Sequence, residues 1–188
     1  KVVVSIIPSG VVGVLFDDWM DAHLHTAPVV AAMLIVYGVA FLLVERRYQG
    51  RHLAVDTVDH MDWKTAVGIG LFQCLSLIPG TSRSGSTILG GILLGASRSA
   101  AAEFSFFMAI PTMLGASGIK LLKFFLTGVG FGGSELAVLL VGCLVSFLVS
   151  LLVIRGLMDY VRNHSFSVFG VYRIVLGVVV LVWFALAK

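Results

Sequence analysis

Long apolar stretches separated by short polar segments dominate this chain. The four longest run over residues 29–44, 100–126, 136–154 and 166–187. A bilayer core requires about 20 helical residues, so the pattern predicts a transmembrane helix for each of these stretches. A fifth stretch, residues 2–16, is marginal in length and contains Pro8, and it spans only if its start is extended upstream.

Residues 66–97 break this pattern. The apolar run 66–78 is followed by the polar, Pro- and Gly-containing segment 79–85, and apolar sequence resumes at 88–96. Each arm is too short to cross a membrane. Two half-length arms around a polar tip predict a re-entrant helical hairpin, which brings irregular backbone to membrane depth.

Composition fixes the class of protein. Hydrophobic residues make up 59% of the 188 residues and charged residues 12%, and the mean hydropathy is +1.04. Soluble domains average about 25% charged residues, so a soluble enzyme, a disordered chain and a nucleic-acid-binding protein are excluded. The net charge is only +3, which does not indicate an anionic macromolecular partner.

The positions of the basic residues predict the topology. Arg46, Arg47, Arg51 and Lys64 place the loop 45–64 inside, and the acidic loop 17–26, which lacks Lys and Arg, lies outside. The predicted fold is therefore an all-α, polytopic membrane helical bundle over residues 1–188, a single membrane domain. It has about five transmembrane helices and one re-entrant hairpin.

The hairpin tip, Pro79–Thr87 with the sequence PGTSRSGST, carries the candidate chemistry. An arginine at membrane depth costs at least a few kcal/mol unless it meets an anion, a carboxylate or water. Gly80 and Gly85 allow the backbone to approach a ligand, and the second arm begins here with its free N–H groups. The hydroxyl donors beside Arg83 are Thr81, Ser82, Ser84, Ser86 and Thr87. Together these groups predict a phosphate site.

Three polar features of the chain also have other interpretations. Arg83 could pair with a carboxylate elsewhere in the bundle. Glu103 either complements the dipole in the first turn of a helix starting near Ser99 or contributes to the site as a weak metal candidate. The polar residues of segment 56–62 could bind a metal, but a solvated loop in which Asp62 caps the next helix is the favoured interpretation.

At these residues the chain resembles a known family. Pro79–Thr87 matches the PGxSRSxxT motif of the undecaprenyl pyrophosphate phosphatases, also called bacitracin-resistance proteins, and the flanks 72–79 and 95–106 agree as well. The similarity extends over the whole chain, which resembles the C-terminal two-thirds of a family member. The absence of an initial Met agrees with an N-terminal part that is not included.

The resemblance implies a multi-pass hydrolase of the bacterial plasma membrane. Its substrate would be undecaprenyl pyrophosphate, a polyprenyl pyrophosphate lipid, and its product undecaprenyl phosphate, which recycles the lipid carrier for cell-wall synthesis and gives bacitracin resistance. Carried over, Arg83 would grip the pyrophosphate, and Ser82 and Thr87 would be its active-site partners. A divalent cation, Mg²⁺ or Ca²⁺, is implied as cofactor, and a homodimer is left open.

Family members also have a second motif, with two glutamates in an ExxxE spacing and a nearby histidine, which this chain lacks. Hydrolysis of a phosphoanhydride needs a group that activates water or a hydroxyl nucleophile, and the hairpin tip contains no such base. We therefore expect the 188-residue chain alone to be inactive. The alternative function is a transporter or flippase of a polyprenyl phosphate lipid, because re-entrant half-helices also bind anions in transporters.

Overall fold

The computed structural model describes residues 1–48, 50, 54–127 and 132–186, and for residues 17, 18, 21, 162 and 163 it describes the backbone alone. Within these ranges the chain is helical, with one isolated β-bridge. The helices are α1 (Val2–Leu24), α2 (Ala27–Tyr48), α3 (Trp63–Cys74), a 3-10 turn (Leu75–Leu77), α4 (Arg83–Leu93), α5 (Arg98–Leu126), α6 (Gly133–Asn163) and α7 (Ser167–Leu186). The prediction of an all-α membrane bundle is confirmed.

Four helices in the described ranges, α2, α5, α6 and α7, are long and apolar enough to cross a membrane. They coincide with the four apolar stretches of the sequence, and α6 runs nine residues beyond the predicted end at Ile154. Arg155 and Asp159 end the apolar run there, but neither residue breaks a helix. The fifth apolar segment, Val2–Phe16, is a shorter one within α1.

The loop predicted over residues 17–26 is wrong. Helix α1 continues to Leu24, so only His25 and Thr26 connect it to α2. Residues 17–24 include three Asp and one His but no Gly or Pro, and Trp19 stacks on His23 one turn later, with ring centroids 4.9 Å apart. The side chains of Asp17, Asp18, Asp21 and Arg162 and the whole of Arg51 lie outside the described residues, so the charge-based orientation stays a prediction.

The hairpin predicted over residues 66–97 consists of two short arms, α3 and α4, of 12 and 11 residues. At 1.5 Å per residue each arm is about 18 Å long or less, well short of a bilayer core of about 30 Å. Asp62 caps α3 as expected: its carboxylate accepts from the backbone N–H of Thr65 at 2.7 Å. Hydrogen bonds from Thr65, first from its side chain and then from its backbone N–H, lower the pKa of Asp62.

Glycines set the spacing of the helices around the hairpin. A Cβ at Gly38 in α2 would lie 2.7 Å from the carbonyl oxygen of Gly170 in α7, and one at Gly177 would lie 2.8 Å from that of Ala31. Helices α2 and α7 therefore pack with their backbones in near contact, as small residues permit in membranes. This contact brings α7 to the hairpin.

Hydrogen bonds join the end of the hairpin, residues 95–97, to the segment that follows α2. The amide of Val55 donates to the carbonyl of Gly95 at 3.1 Å, and the amide of Ser97 donates to the carbonyl of Val55 at 2.7 Å. Beside this bridge Arg98, the first residue of α5, forms an ion pair with the buried carboxylate of Glu45. A cation at a helix N-terminus opposes the helix dipole, and Glu45 offsets it.

Candidate active site at the hairpin tip

The turn between the two arms has two unusual backbone conformations. Gly80 has φ +91°, and a Cβ there would collide with the backbone of Val30 in α2. Ser82 has φ +68°, and its hydroxyl accepts from the amide of Gly85 at 3.3 Å as the N-cap of α4. A positive φ in a residue other than glycine costs about 1–3 kcal/mol and concentrates at functional sites. The strain presents Ser82 as an exposed side chain at the tip.

Three of the five predicted hydroxyl donors face the protein interior. Thr81, Ser86 and Thr87 are fully buried. The hydroxyl of Thr81 donates to the carbonyl of Ile78 at 2.7 Å, and that of Ser86 donates to the hydroxyl of Tyr37 at 3.0 Å. These groups hold the turn in shape, and their hydrogen bonds are made within the protein.

Thr87 bonds to the first turn of its own helix and to α5. Its hydroxyl lies 3.0 Å from the carbonyl oxygen of Arg83 and 2.7 Å from the hydroxyl of Ser105. The active-site role that the resemblance implies for Thr87 stays a prediction, since in this structure the residue anchors α4 to α5.

Arg83 begins α4 and is half-buried against α5. One terminal nitrogen donates to the carbonyl of Ser105 at 3.4 Å, and its Nε is buried with no hydrogen-bond partner among the described residues. A buried donor without an acceptor is costly, so this guanidinium has capacity for an anion. No carboxylate in the described ranges pairs with Arg83, which removes the alternative of an ion pair there.

Arg173 is a site residue that the sequence analysis missed. It lies in α7, and its Nη2 donates to the carbonyl oxygens of Gly80 and Thr81 at 2.5 and 2.9 Å. Its Nε, like that of Arg83, is buried without a partner in the described part of the chain. The available signal was a lone arginine inside an apolar span, the same signal that identified Arg83.

A pocket of about 230 Å³ opens beside the tip. Its polar end is formed by Ser82, Ser84 and Arg173, with Gly85 close by and the N-terminus of α4 at the same place. The remaining walls are apolar. They are formed by Phe41, Ile88, Ala102, Phe106, Leu157, Val161, Phe166, Phe169 and the ring of Tyr172. A ligand with an anionic head group could bind at the polar end and place an apolar chain along these walls.

Comparison with known proteins identifies the family. The family model described as bacitracin resistance protein BacA matches residues 1–179. The chain belongs to the BacA family. It is 56% identical over 181 residues to the undecaprenyl-diphosphatase of Enterococcus faecalis and 58% identical over 181 residues to that of Streptococcus mutans; both alignments cover 96% of this chain.

The chain is shorter than these BacA relatives. It spans 64% of the length of the enterococcal and streptococcal proteins, and 66% of undecaprenyl-diphosphatase 1 of Clostridioides difficile, to which it is 55% identical over 186 residues. The pocket described here is thus formed by the part of a BacA protein that corresponds to about two-thirds of those sequences.

The donor set of the pocket does not fit a divalent cation. Mg²⁺ and Ca²⁺ take carboxylate, carbonyl and water oxygens, whereas the polar lining side chains are two serines, a tyrosine and an arginine. Glu103, the weak metal candidate, is half-buried, is absent from the pocket lining and lies in the second turn of α5, not the first. Within the described ranges no group of three His, Cys, Asp or Glu could hold a metal ion.

Proposed function

We propose that the protein acts in the hydrolysis of undecaprenyl pyrophosphate to undecaprenyl phosphate and phosphate, in the bacterial plasma membrane. The relatives carry the name of this activity. The observation that carries the proposal is the pocket, whose one polar end combines Arg173, two serine hydroxyls and a helix N-terminus against otherwise apolar walls. A pyrophosphate joined to a polyprenyl chain has the same division into an anionic end and an apolar body.

Two arginines lie at the hairpin tip: Arg173 lines the pocket, whereas Arg83 is outside the lining and contacts α5. Arg83 and Arg173 each bury an Nε that lacks a protein partner among the described residues. Guanidinium forks bind phosphate oxygens in pairs, and a site that excludes water strengthens each contact. In this proposal Arg83 and Arg173 bind the pyrophosphate, and Ser82 and Ser84 donate hydrogen bonds to it.

The described pocket provides charge neutralisation but no general base. No carboxylate or imidazole lines it, while water attacking phosphorus at neutral pH must lose a proton. We therefore propose that the base, and ligands for any divalent cation, lie outside the lining described here. The cation implied by the family resemblance stays a prediction.

The 188-residue chain provides the decisive comparison. Purified in detergent, it should bind a prenyl pyrophosphate weakly and release little phosphate, whereas the full-length enterococcal relative should turn over. General-base help is worth about 10²–10⁴-fold, so the difference is measurable by released phosphate. Equal turnover would place the base within this chain, and Glu103→Gln would then be the first variant to assay.

The alternative of a lipid carrier predicts a different result. A full-length protein that binds the prenyl pyrophosphate and moves it between leaflets of a vesicle without releasing phosphate would overturn the hydrolase proposal. The homodimer left open by the sequence stays a prediction.

A further inference from the structure

Tyr37 contacts both elements that form the polar end of the pocket, although it does not line the pocket itself. It lies in α2 and is buried. Its hydroxyl accepts the hydrogen bond from Ser86 in the first turn of α4, at 3.0 Å. Its ring faces Arg173 of α7, whose guanidinium carbon lies 5.8 Å from the ring centroid.

The ring fixes a guanidinium that has no carboxylate partner in the described ranges. Arg173 uses Nη2 for the carbonyl oxygens of Gly80 and Thr81. The ring of Tyr37 attracts the cation through its face and requires none of its N–H donors, so Nε stays free for an anion. An arginine held in this way loses less side-chain freedom when it binds a ligand than a mobile one does.

The hydroxyl of Tyr37 holds the second element of the polar end, the N-terminal turn of α4. Ser86 is fully buried, and its hydroxyl donates a hydrogen bond to the hydroxyl oxygen of Tyr37. This bond ties the first turn of α4 to α2, and that turn contributes Ser84 and Gly85 to the pocket lining. One side chain therefore sets the position of the arginine relative to the helix N-terminus.

We propose that Tyr37 is a positioning residue for the pyrophosphate site: its ring holds Arg173 and its hydroxyl holds the N-terminal turn of α4, so that both meet the same anion. This inference rests on the proposed function. Tyr37 would influence ligand binding through its contacts with Arg173 and Ser86.

A double-mutant cycle tests the contact with Arg173. In the full-length protein with farnesyl pyrophosphate as substrate, Tyr37→Leu should raise KM about 5- to 30-fold, the range of one cation–π contact, with a smaller effect on kcat. In an Arg173→Met background the same replacement should raise KM by a smaller factor, the part caused by losing the hydrogen bond from Ser86, because the cation–π partner is already absent. A loss that is equal in both backgrounds would show a merely structural role and overturn the proposal.

A second cycle covers the case in which Tyr37→Leu does not fold. Tyr37→Phe keeps the ring and removes only the hydroxyl, so it should affect KM less than Leu does. Combined with Ser86→Ala, it should add no further loss, because each change breaks the same hydrogen bond. Additive losses would contradict the hydroxyl half of the proposal. The matched control is Tyr160→Phe, at a tyrosine in α6 that stacks on His164 and should leave KM unchanged.

The failure of this inference is distinguishable from failure of the proposed function. If the unmodified protein releases no phosphate from farnesyl pyrophosphate, the proposed function fails. Equilibrium binding of inorganic pyrophosphate then decides the role of Tyr37 with the same variants. Unchanged affinity in Tyr37→Leu would overturn the role of Tyr37, and a loss that is smaller in the Arg173→Met background would support it.

Discussion

The two faces of the hairpin tip differ in how they use the same residue types. On the pocket face, Ser82 and Ser84 point toward open space beside Arg173. On the inner face, Thr81, Ser86 and Thr87 are fully buried and bonded to protein oxygens. The hydroxyls of one motif therefore include groups that line the pocket and groups whose hydrogen bonds are made within the protein. Substitutions on the two faces should therefore have different consequences.

The largest effect should come from Arg83, which contacts α5 and has a buried Nε with no hydrogen-bond partner among the described residues, although it is outside the pocket lining. In the full-length protein Arg83→Ala should lower phosphate release by about 100-fold or more, the scale of losing a preorganised charge-stabilising donor. Arg83→Lys should recover only part of it, because the planar fork is lost. Arg155→Ala, at an exposed arginine of α6, is the matched control. Activity like that of the unmodified protein in Arg83→Ala would remove this residue from the site.

Arg173 belongs to the pocket face and should rank second. Arg173→Met should reduce kcat/KM by about 10- to 100-fold, because one phosphate ligand and its two hydrogen bonds to the tip carbonyls are lost together. Kinetics with farnesyl pyrophosphate, accompanied by the thermal midpoint, measure both contributions. If the thermal midpoint falls while kcat/KM is unchanged, Arg173 stabilises the turn and does not bind the substrate.

Ser84 on the pocket face and Thr87 on the inner face allow a direct comparison, since both lie in α4 and both carry a hydroxyl. Ser84→Ala should weaken binding by about 3- to 10-fold and leave stability unchanged, as expected for one lost hydrogen bond to the ligand. Thr87→Val keeps the shape but leaves Ser105 without its partner, so stability should fall by about 1–3 kcal/mol. Thermal unfolding and KM measured on both variants give the comparison. The reverse pattern would mean that Thr87 contacts substrate, as the family resemblance implies.

The smallest effect should be at Asp62, on the far end of the hairpin from the tip. Asp62→Ala removes the cap of α3 and should lower the thermal midpoint slightly without changing KM, whereas Asp59→Ala in the same loop should change neither. The pKa of Asp62 lies below its ordinary value of 3.8. Its stabilising contribution is therefore complete above that value and is lost as the pH falls through the folded-state pKa. A midpoint difference that persists unchanged at a pH below both values would contradict the cap as its cause.

Much of the architecture was predictable because it depends on local composition. Apolar runs long enough to span a bilayer became α2, α5, α6 and α7, and two arms too short to span became α3 and α4. Helix ends were less predictable. Acidic residues after Phe16 suggested a loop, yet a helix needs no apolar residues to continue, and α1 runs on to Leu24.

The candidate site was predictable in position but not in membership. An arginine among hydroxyls at membrane depth indicates an anion site whatever surrounds it, and so Arg83 and Ser82 were identified from the sequence alone. Arg173 lies ninety residues further along, inside a helix whose mean hydropathy hides a single charge. Its contact with the tip depends on the close glycine packing of α2 against α7, which no local pattern contains.

The sequence by itself therefore determined which segments are long and apolar enough to span a membrane, which two arms are too short to do so, and that the turn between those arms carries an arginine. Only the tertiary structure decided which hydroxyls face the pocket, which second arginine joins them, and that Tyr37 lies between that arginine and Ser86. The physical reason is that burial and helix length follow from transfer free energies of single residues. The direction of a side chain follows from the neighbours packed against it.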